Sequence, residues 1–395
     1  MNKRNYGMMT FVLFWTGFAV MCSLYVTIPL TPVFMREFGL SADDAAWTGS
    51  IFSIFFALGC LVYGPVSDRF GRKQVIVAGL VFLTVFTVLI GFADSLPAII
   101  LFRALQGAAA ASFSPVALAY AGEMFPQEKR GTAIGFISTG FLLAGIGGQV
   151  IASFISEVWN WNAVFWLMSA VYLLTMWFNM LLLPKGDVKQ KSGHMFSSFS
   201  RMGDVLHSRS LLIGYVVTIT VLFTFVGMYS ALGFVLTHSP YALSSGQILF
   251  VRSAGILGMV CSPIAGRLIS KHGSLSVLRT GLIIAAAGLL LMSVSGGLTV
   301  LVVMSVVFVL GIAIAVPSLI SLIGQLGGEM RGLAVSLYTF ILFIGASLGP
   351  IFTAFFLKSD PFLVLSLVLF ISVVLSFLIS RKPSPVQAGK RLAKN

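Results

Sequence analysis

Twelve apolar segments, each long enough to cross a bilayer, decide what this 395-residue chain can fold into. They run roughly over residues 8–35, 45–65, 74–93, 97–121, 131–155, 162–183, 211–236, 246–269, 275–294, 298–322, 332–357 and 362–380. About 20 apolar residues of helix cross the ~30 Å hydrocarbon core. Backbone in lipid must satisfy its own hydrogen bonds, so only helices and closed barrels span. Barrel strands would alternate polar and apolar residues, and these segments do not. The sequence therefore predicts an all-α integral membrane protein with twelve transmembrane helices. With 58% hydrophobic and only 9% charged residues, the chain has too few charges for a dispersed soluble domain. Lys3 and Arg4 before the first run resemble the start of a signal peptide. That run continues to about Met35 with no small-residue cleavage site, so it reads as the first span.

The net charge of +13 is distributed by topology. If the N-terminus is inside, 21 of the 25 Lys and Arg residues fall in inner segments. Only Arg36 and Lys358 fall outside, and Arg103 and Arg252 lie deep within spans, whereas Arg267 and Arg279 stand at inner span ends. The positive-inside rule then places both termini in the cytoplasm, in a multi-pass protein of the cell membrane. The bases sit in short loops between spans, which argues against a nucleic-acid partner. The expected outer side carries Glu37, Asp43, Asp44, Asp94, Glu157 and Asp360. Cys22, Cys60 and Cys261 lie in apolar stretches without metal or disulfide spacing and read as small core residues. The four histidines form no cluster, and no motif for ATP, metal, flavin or nucleophilic catalysis appears. The expectation is a membrane protein with no cofactor that is not an enzyme.

The longest interruption separates spans six and seven. It divides the chain into an N-terminal six-helix half (1–183), a cytoplasmic linker (184–210), a C-terminal six-helix half (211–380) and a basic tail (381–395). The second part of the linker has the pattern of an amphipathic helix on the inner leaflet, and the tail reads as disordered and drawn to anionic lipid. Short echoes relate the halves. Tyr63-Gly64-Pro65-Val66-Ser67-Asp68-Arg69 is echoed by Cys261-Ser262-Pro263-Ile264-Ala265-Gly266-Arg267. Ser114-Pro115 is echoed by Val316-Pro317, and Lys129-Arg130-Gly131 by Met330-Arg331-Gly332.

The turn after span two, Tyr63 to Lys73, is polar and basic between membrane-length segments, so it must lie in water. Gly64 and Gly71 are expected to let the backbone turn tightly, and Pro65 to loosen the end of the preceding helix. Asp68 is the single acid among Arg69, Arg72 and Lys73, which suggests that it has a partner. The pattern Gly-x-x-x-Asp-Arg-x-Gly-Arg-Lys resembles the loop signature of the major facilitator superfamily. That resemblance implies two pseudo-symmetric six-helix halves and a cytoplasmic gate. Asp68 would face the N-terminus of the eleventh helix. Arg69 and Arg72 would pair with acids near the fourth, with Glu123 meeting Arg72, and Arg130 meeting Asp68 or Glu123.

Further residues follow from the same reading. Arg103 lies about six residues inside span four, where a guanidinium costs at least about 2.5–3.5 kcal/mol. Either it faces a cavity or partner, or it snorkels to the outer interface. Arg103-Ala104-Leu105-Gln106-Gly107 resembles the superfamily's Arg-x-x-Gln-Gly motif, which implies a part in proton coupling. Arg252 sits at similar depth in span eight and either meets an anionic substrate group, or snorkels or bonds to helix carbonyls. Gly140 to Gly148 resembles the antiporter motif of the drug:proton antiporters. It departs from that motif at Ala144, Gly145 and Gln149, and close helix packing explains the glycines equally well. A better copy, Gly345-Ala-Ser-Leu-Gly349-Pro350, lies in span eleven. No Asp or Glu sits in the middle of any span, so proton coupling would need a titrating group nearer an edge, Glu157 or Glu123. In the superfamily, spans one, four, seven and ten line the cavity. This gives Tyr25, Thr27, Gln106, Phe223, Tyr229 and Ser305 as candidates beside Arg252.

The resemblance implies a monomeric secondary transporter in the plasma membrane, moving small organic molecules by alternating access with protons and lipid as its other partners. Proton-coupled efflux of drugs or metabolites is the first reading. Uptake or exchange of an anionic metabolite, using Arg103 and Arg252, is the alternative.

Overall fold

The apolar segments form helices, and prolines decide where those helices break. The computed structural model describes residues 5–185, 207–294, 296–356 and 359–379. Most of the 184–210 linker, including its amphipathic segment, and the 381–395 tail lie outside the described residues. The first apolar run is α1 (Tyr6–Tyr25) and α2 (Thr27–Phe38), followed by α3 (Ala42–Phe70) and α4 (Arg72–Gly91). Then come α5 (Leu96–Ala110), α6 (Ser114–Met124), α7 (Gln127–Val158) and α8 (Trp161–Leu182). Beyond the linker are α9 (Arg209–Thr237), α10 (Ser245–Ser253), α11 (Ile256–Met259), α12 (Ser262–His272) and α13 (Ser274–Ser293). The chain continues with α14 (Leu298–Leu326), a 3₁₀ turn (Gly328–Met330), α15 (Arg331–Phe355) and α16 (Pro361–Phe377). No strand occurs among the described residues. Among the described residues, eleven helices or broken helices are long and apolar enough to cross a membrane. The helix at the expected twelfth position, α16, has 17 residues, the short end of the spanning range of about 17–25.

Proline lacks an N–H and crowds the carbonyl four residues back. Pro29, Pro115 and Pro263 stand four residues after Tyr25, Ala111 and Met259, where α1, the fourth span and α11 give way. The fourth and eighth spans are therefore interrupted, not continuous as their hydropathy suggests. Pro317 lies inside unbroken α14, so the Ser114-Pro115 and Val316-Pro317 echo does not carry over to backbone shape. Pro65 also fails to end its helix. The α3 helix continues through it to Phe70, and the expected loop shrinks to Gly71, whose φ of +93° suits glycine. The expectation that Gly64 turns the chain is likewise corrected: Gly64 is helical and buried.

Helix packing joins elements far apart in the sequence. α1 lies on α7, α3 on α5, and α4 on α8; α9 lies on α15, and α13 on both α14 and α16. Between these sets, α12 packs on α7, and both α3 and α6 pack on α15. The glycines of the antiporter-like stretches sit in these contacts. A Cβ at Gly148 would come 2.9 Å from the Cys22 carbonyl oxygen, and one at Gly140 or Gly349 would press on the backbone of Phe14 or Phe223. Small residues let these helices approach backbone to backbone. Replacing Gly140 with Leu should therefore lower the Tm of the purified protein by several degrees, read by unfolding in detergent.

Candidate functional site

One end of the bundle, called here the basic face, is held closed by ions and backbone. Arg72 opens α4 directly after the Gly71 turn, so its guanidinium folds back over the last turn of α3. Its Nη2 donates to Glu123 Oε1 (2.7 Å) and its Nε to Glu123 Oε2 (3.3 Å). It also pairs with Asp68, and Nη1 donates to the Gly64 carbonyl (3.2 Å) and to Ser67 Oγ. The Arg72 side chain is 8% exposed, while Glu123 keeps half of its exposure. A two-pronged guanidinium–carboxylate pair is geometrically selective. Its half-wet acid limits its strength to between that of a surface and a buried pair.

Asp68 lies at the start of α15. A Cβ placed on Gly332 would be 3.1 Å from Asp68 Oδ1. A carboxylate at a helix N-terminus meets free N–H groups and the positive end of the helix dipole. Two sequence expectations are corrected here. Arg130 donates to the Phe125 carbonyl (3.4 Å), not to Asp68 or Glu123. Arg69 is exposed and lies over the Phe70 ring at 5.6 Å, with no ion pair to an acid among the described residues. In its place stands Arg331, which the sequence marked only as an echo of Arg130. From the first turn of α15 it donates to the Gly122 carbonyl at the end of α6 (3.4 Å).

Backbone completes the closure. A side chain at Gly64 would overlap Ser336 Oγ on α15. Between α7 and α12, a Cβ at Gly131 would stand 2.9 Å from the Gly266 carbonyl oxygen, and one at Gly135 2.8 Å from that of Ser262. Ser262 Oγ donates to the Gly135 carbonyl (3.1 Å). The echoed Gly64 and Gly266 regions thus both meet a partner helix, one with an acid nearby and one without.

Arg103 is fully buried, which removes the snorkelling alternative. Its Nε donates to the Thr48 carbonyl (2.8 Å). Nη1 donates to the Ser23 carbonyl (2.9 Å) and to Gln106 Oε1 (2.6 Å). The guanidinium carbon lies 4.3 Å from the Phe52 ring centroid. Gln106 passes the chain on to Thr87 Oγ1 (2.7 Å). Among the described residues Arg103 stands in no ion pair, and its Nη2 has no partner. Carbonyl dipoles and an aromatic face compensate this cation.

The opposite end of the bundle is open. A cavity of about 650 Å³ lies between α2, α7, α9 and α10, with Glu157, Gln149, His238 and Arg252 on its walls. Residues 149, 153 and 157 follow at four-residue spacing, so α7 turns one polar stripe to it. Arg252 Nη2 donates to the Tyr229 carbonyl (3.0 Å), and its Nε has no partner among the described residues. Neither Arg252 nor Glu157 stands in an ion pair there. Between vestibule and basic face lies a second cavity of about 40 Å³, lined chiefly by apolar and aromatic side chains, with Tyr25 from α1 and Ser138 from α7.

Other expected cavity residues take different surroundings. Phe223 packs on Phe352, with ring centroids 5.2 Å apart. Tyr229 packs on Phe225 at 5.2 Å. Thr27 is buried, and Ser305 donates to the Val302 carbonyl of its own helix (2.7 Å). Gln106 serves Arg103. Among the described residues no group of three metal-ligating side chains occurs.

The family model described as Major Facilitator Superfamily matches residues 13–350 and 241–395. An uncharacterized transporter of Buchnera aphidicola (subsp. Schizaphis graminum) is 26% identical over 383 residues, covering 96% of this chain and 92% of the relative. Multidrug resistance protein MdtG of Klebsiella pneumoniae is 26% identical over 291 residues, covering 71% and 70%. Among solved structures, the human organic anion transporter MFSD10 (TETRAN) superposes with a TM-score of 0.78. It shares 19% identity, over 94% of this chain and 99% of that one; at that identity the likeness shows the fold.

Proposed function

The chain belongs to the Major Facilitator Superfamily and is a multi-pass membrane transporter, not an enzyme; from that premise we propose that it exports small organic molecules across the plasma membrane by alternating access, in exchange for protons. In this reading its spans form two six-helix halves, 1–183 and 211–380, and the basic face is cytoplasmic. The observation that carries the reading is one-sided access. The basic face is shut by Arg72 with Asp68 and Glu123 and by glycine contacts, while a cavity of about 650 Å³ stands open at the other end. A carrier that alternates needs these two ends to exchange states. Export is supported by the apolar central cavity and by the relative named for multidrug resistance.

In this reading Arg103 holds the fourth span to Thr48 and Ser23, and Glu157 lies on the vestibule wall. Everted vesicles with an imposed proton gradient test the whole reading. Accumulation of organic solutes that collapses with an ionophore is expected; solute movement indifferent to the gradient would reject proton exchange.

Asp68→Asn should weaken the closed basic face by about 1–2 kcal/mol, between the values for exposed and buried pairs. The population should move toward the inward-open state by roughly five- to thirtyfold. Spin-label distances between α3 and α15 would read this, and unchanged distances would remove the gating role.

The alternative reading, transport of an anion, retains one support: Arg252 lines the vestibule without a carboxylate partner among the described residues. Arg103 is enclosed by carbonyls and does not add to it. Arg252→Gln should lower uptake of organic acids about tenfold if that reading holds, and leave export of uncharged solutes unchanged if it does not.

A further inference from the structure

Two hydroxyls at the centre of the bundle have no hydrogen-bond partner among the described residues: Ser138 Oγ on α7 and Tyr338 Oη on α15. Both residues are buried, at 0% and 1% exposure. Ser336 Oγ and Tyr229 Oη are unpartnered too but do not line the central cavity, whereas other hydroxyls nearby bond within their helices. Thr139 donates to the Gly135 carbonyl, Thr339 to that of Val335, and Ser318 to that of Ile314. A helical Ser or Thr commonly finds the carbonyl a turn back, so a buried hydroxyl that does not is an exception needing a reason. Ser138 and Tyr338 come from helices far apart in the sequence, yet both line the same central cavity. Among the described residues no charged side chain lines that cavity.

We infer that Ser138 and Tyr338 are the hydrogen-bonding contacts of the transported molecule, and that the central site takes an uncharged, mostly apolar compound bearing an oxygen or nitrogen acceptor. The inference rests on the transporter reading and narrows its substrate class. Each hydroxyl can donate to the ligand and accept from it. An ionic ligand would be desolvated there with no counter-charge, which is strongly unfavourable. A mostly apolar wall with a few convergent polar groups is the usual build of a small-molecule site.

The site is contracted in this conformation. About 40 Å³ holds a water molecule but no organic solute. Ser138 lies three residues past Gly135, and Tyr338 two residues past Ser336, so both stand immediately behind the contacts that shut the basic face. Parting those contacts is what enlarges the site, and the ligand enters from that side. The same closure expels it toward the vestibule.

The test uses the purified full chain in scintillation-proximity binding, with radiolabelled chloramphenicol as the uncharged probe and tetraphenylphosphonium as the cationic one. Chloramphenicol should bind saturably, and tetraphenylphosphonium should not compete. Tyr338→Phe and Ser138→Ala should each weaken binding about five- to tenfold with an unchanged Tm, because each removes a hydroxyl and little volume. No saturable binding of chloramphenicol, equal competition by the cation, or both variants binding as the unaltered protein does would overturn the assignment. Equal weakening for both probes with a lowered Tm would mean that the hydroxyls only hold a buried water, and would overturn it too. The expected binding pattern without transport in vesicles would reject the transporter reading and leave the site standing. Transport of charged solutes with no dependence on either hydroxyl would do the reverse.

Discussion

Arg103→Ala is expected to abolish substrate-driven proton movement, by about 100-fold or more, while the protein still folds. The guanidinium ties α5 to α3 through Thr48 and Phe52 and to α1 through Ser23, and it orients Gln106 toward Thr87. Removing a buried cation relieves its desolvation, so folding need not suffer. What disappears is the charge that any proton-linked step in this half would sense, since no ion pair neutralises it among the described residues. Proteoliposomes loaded with a pH dye, given substrate and then ionophore, would show it. A variant that moves protons as the unaltered protein does would reduce Arg103 to a tie between helices.

The second large effect is expected at Gly64. Any side chain there overlaps Ser336 across the α3–α15 contact, so Gly64→Val should prevent the basic face from closing. Valine is tolerated within a helix at small cost, so a folded protein with a Tm near that of the unaltered chain is expected. Net transport should fall about 100-fold, since a carrier unable to close one gate cannot cycle. A cysteine-reactive probe applied from the basic side should then reach positions such as Ser336→Cys in the Gly64→Val background. Normal turnover would show that the gap between α3 and α15 can be taken up elsewhere.

Much of this was legible in the sequence, because a bilayer makes hydropathy a nearly direct record of helices. The gate motif named Asp68, Arg72 and Glu123, and in the structure Arg72 joins both acids. What escaped was whatever depends on which helices meet. Arg331 reads as another loop base until α15 places it on the Gly122 carbonyl. Arg69 and Arg130, by contrast, carry the motif's charge but pair with no acid among the described residues. Ser138 and Tyr338 have no sequence signature, since an intrahelical bond would satisfy most such hydroxyls. Phe223 and Ser305 were placed by span number alone, and helix rotation, which hydropathy does not record, turned them elsewhere. The prolines were visible, but three of those considered interrupt a helix and two do not, because neighbouring helices settle whether freed carbonyls are tolerated.

The α15 helix carries Arg331 at its first turn, Ser336 against Gly64 and Tyr338 at the central cavity, all within eight residues of one rigid rod. Selectivity and speed are therefore written on the same piece of the molecule. If Tyr338 holds the cargo, a compound that grips it too firmly would hinder the same rod from parting Ser336 from Gly64. Changes that retune what this carrier accepts should accordingly alter how fast it turns over as well.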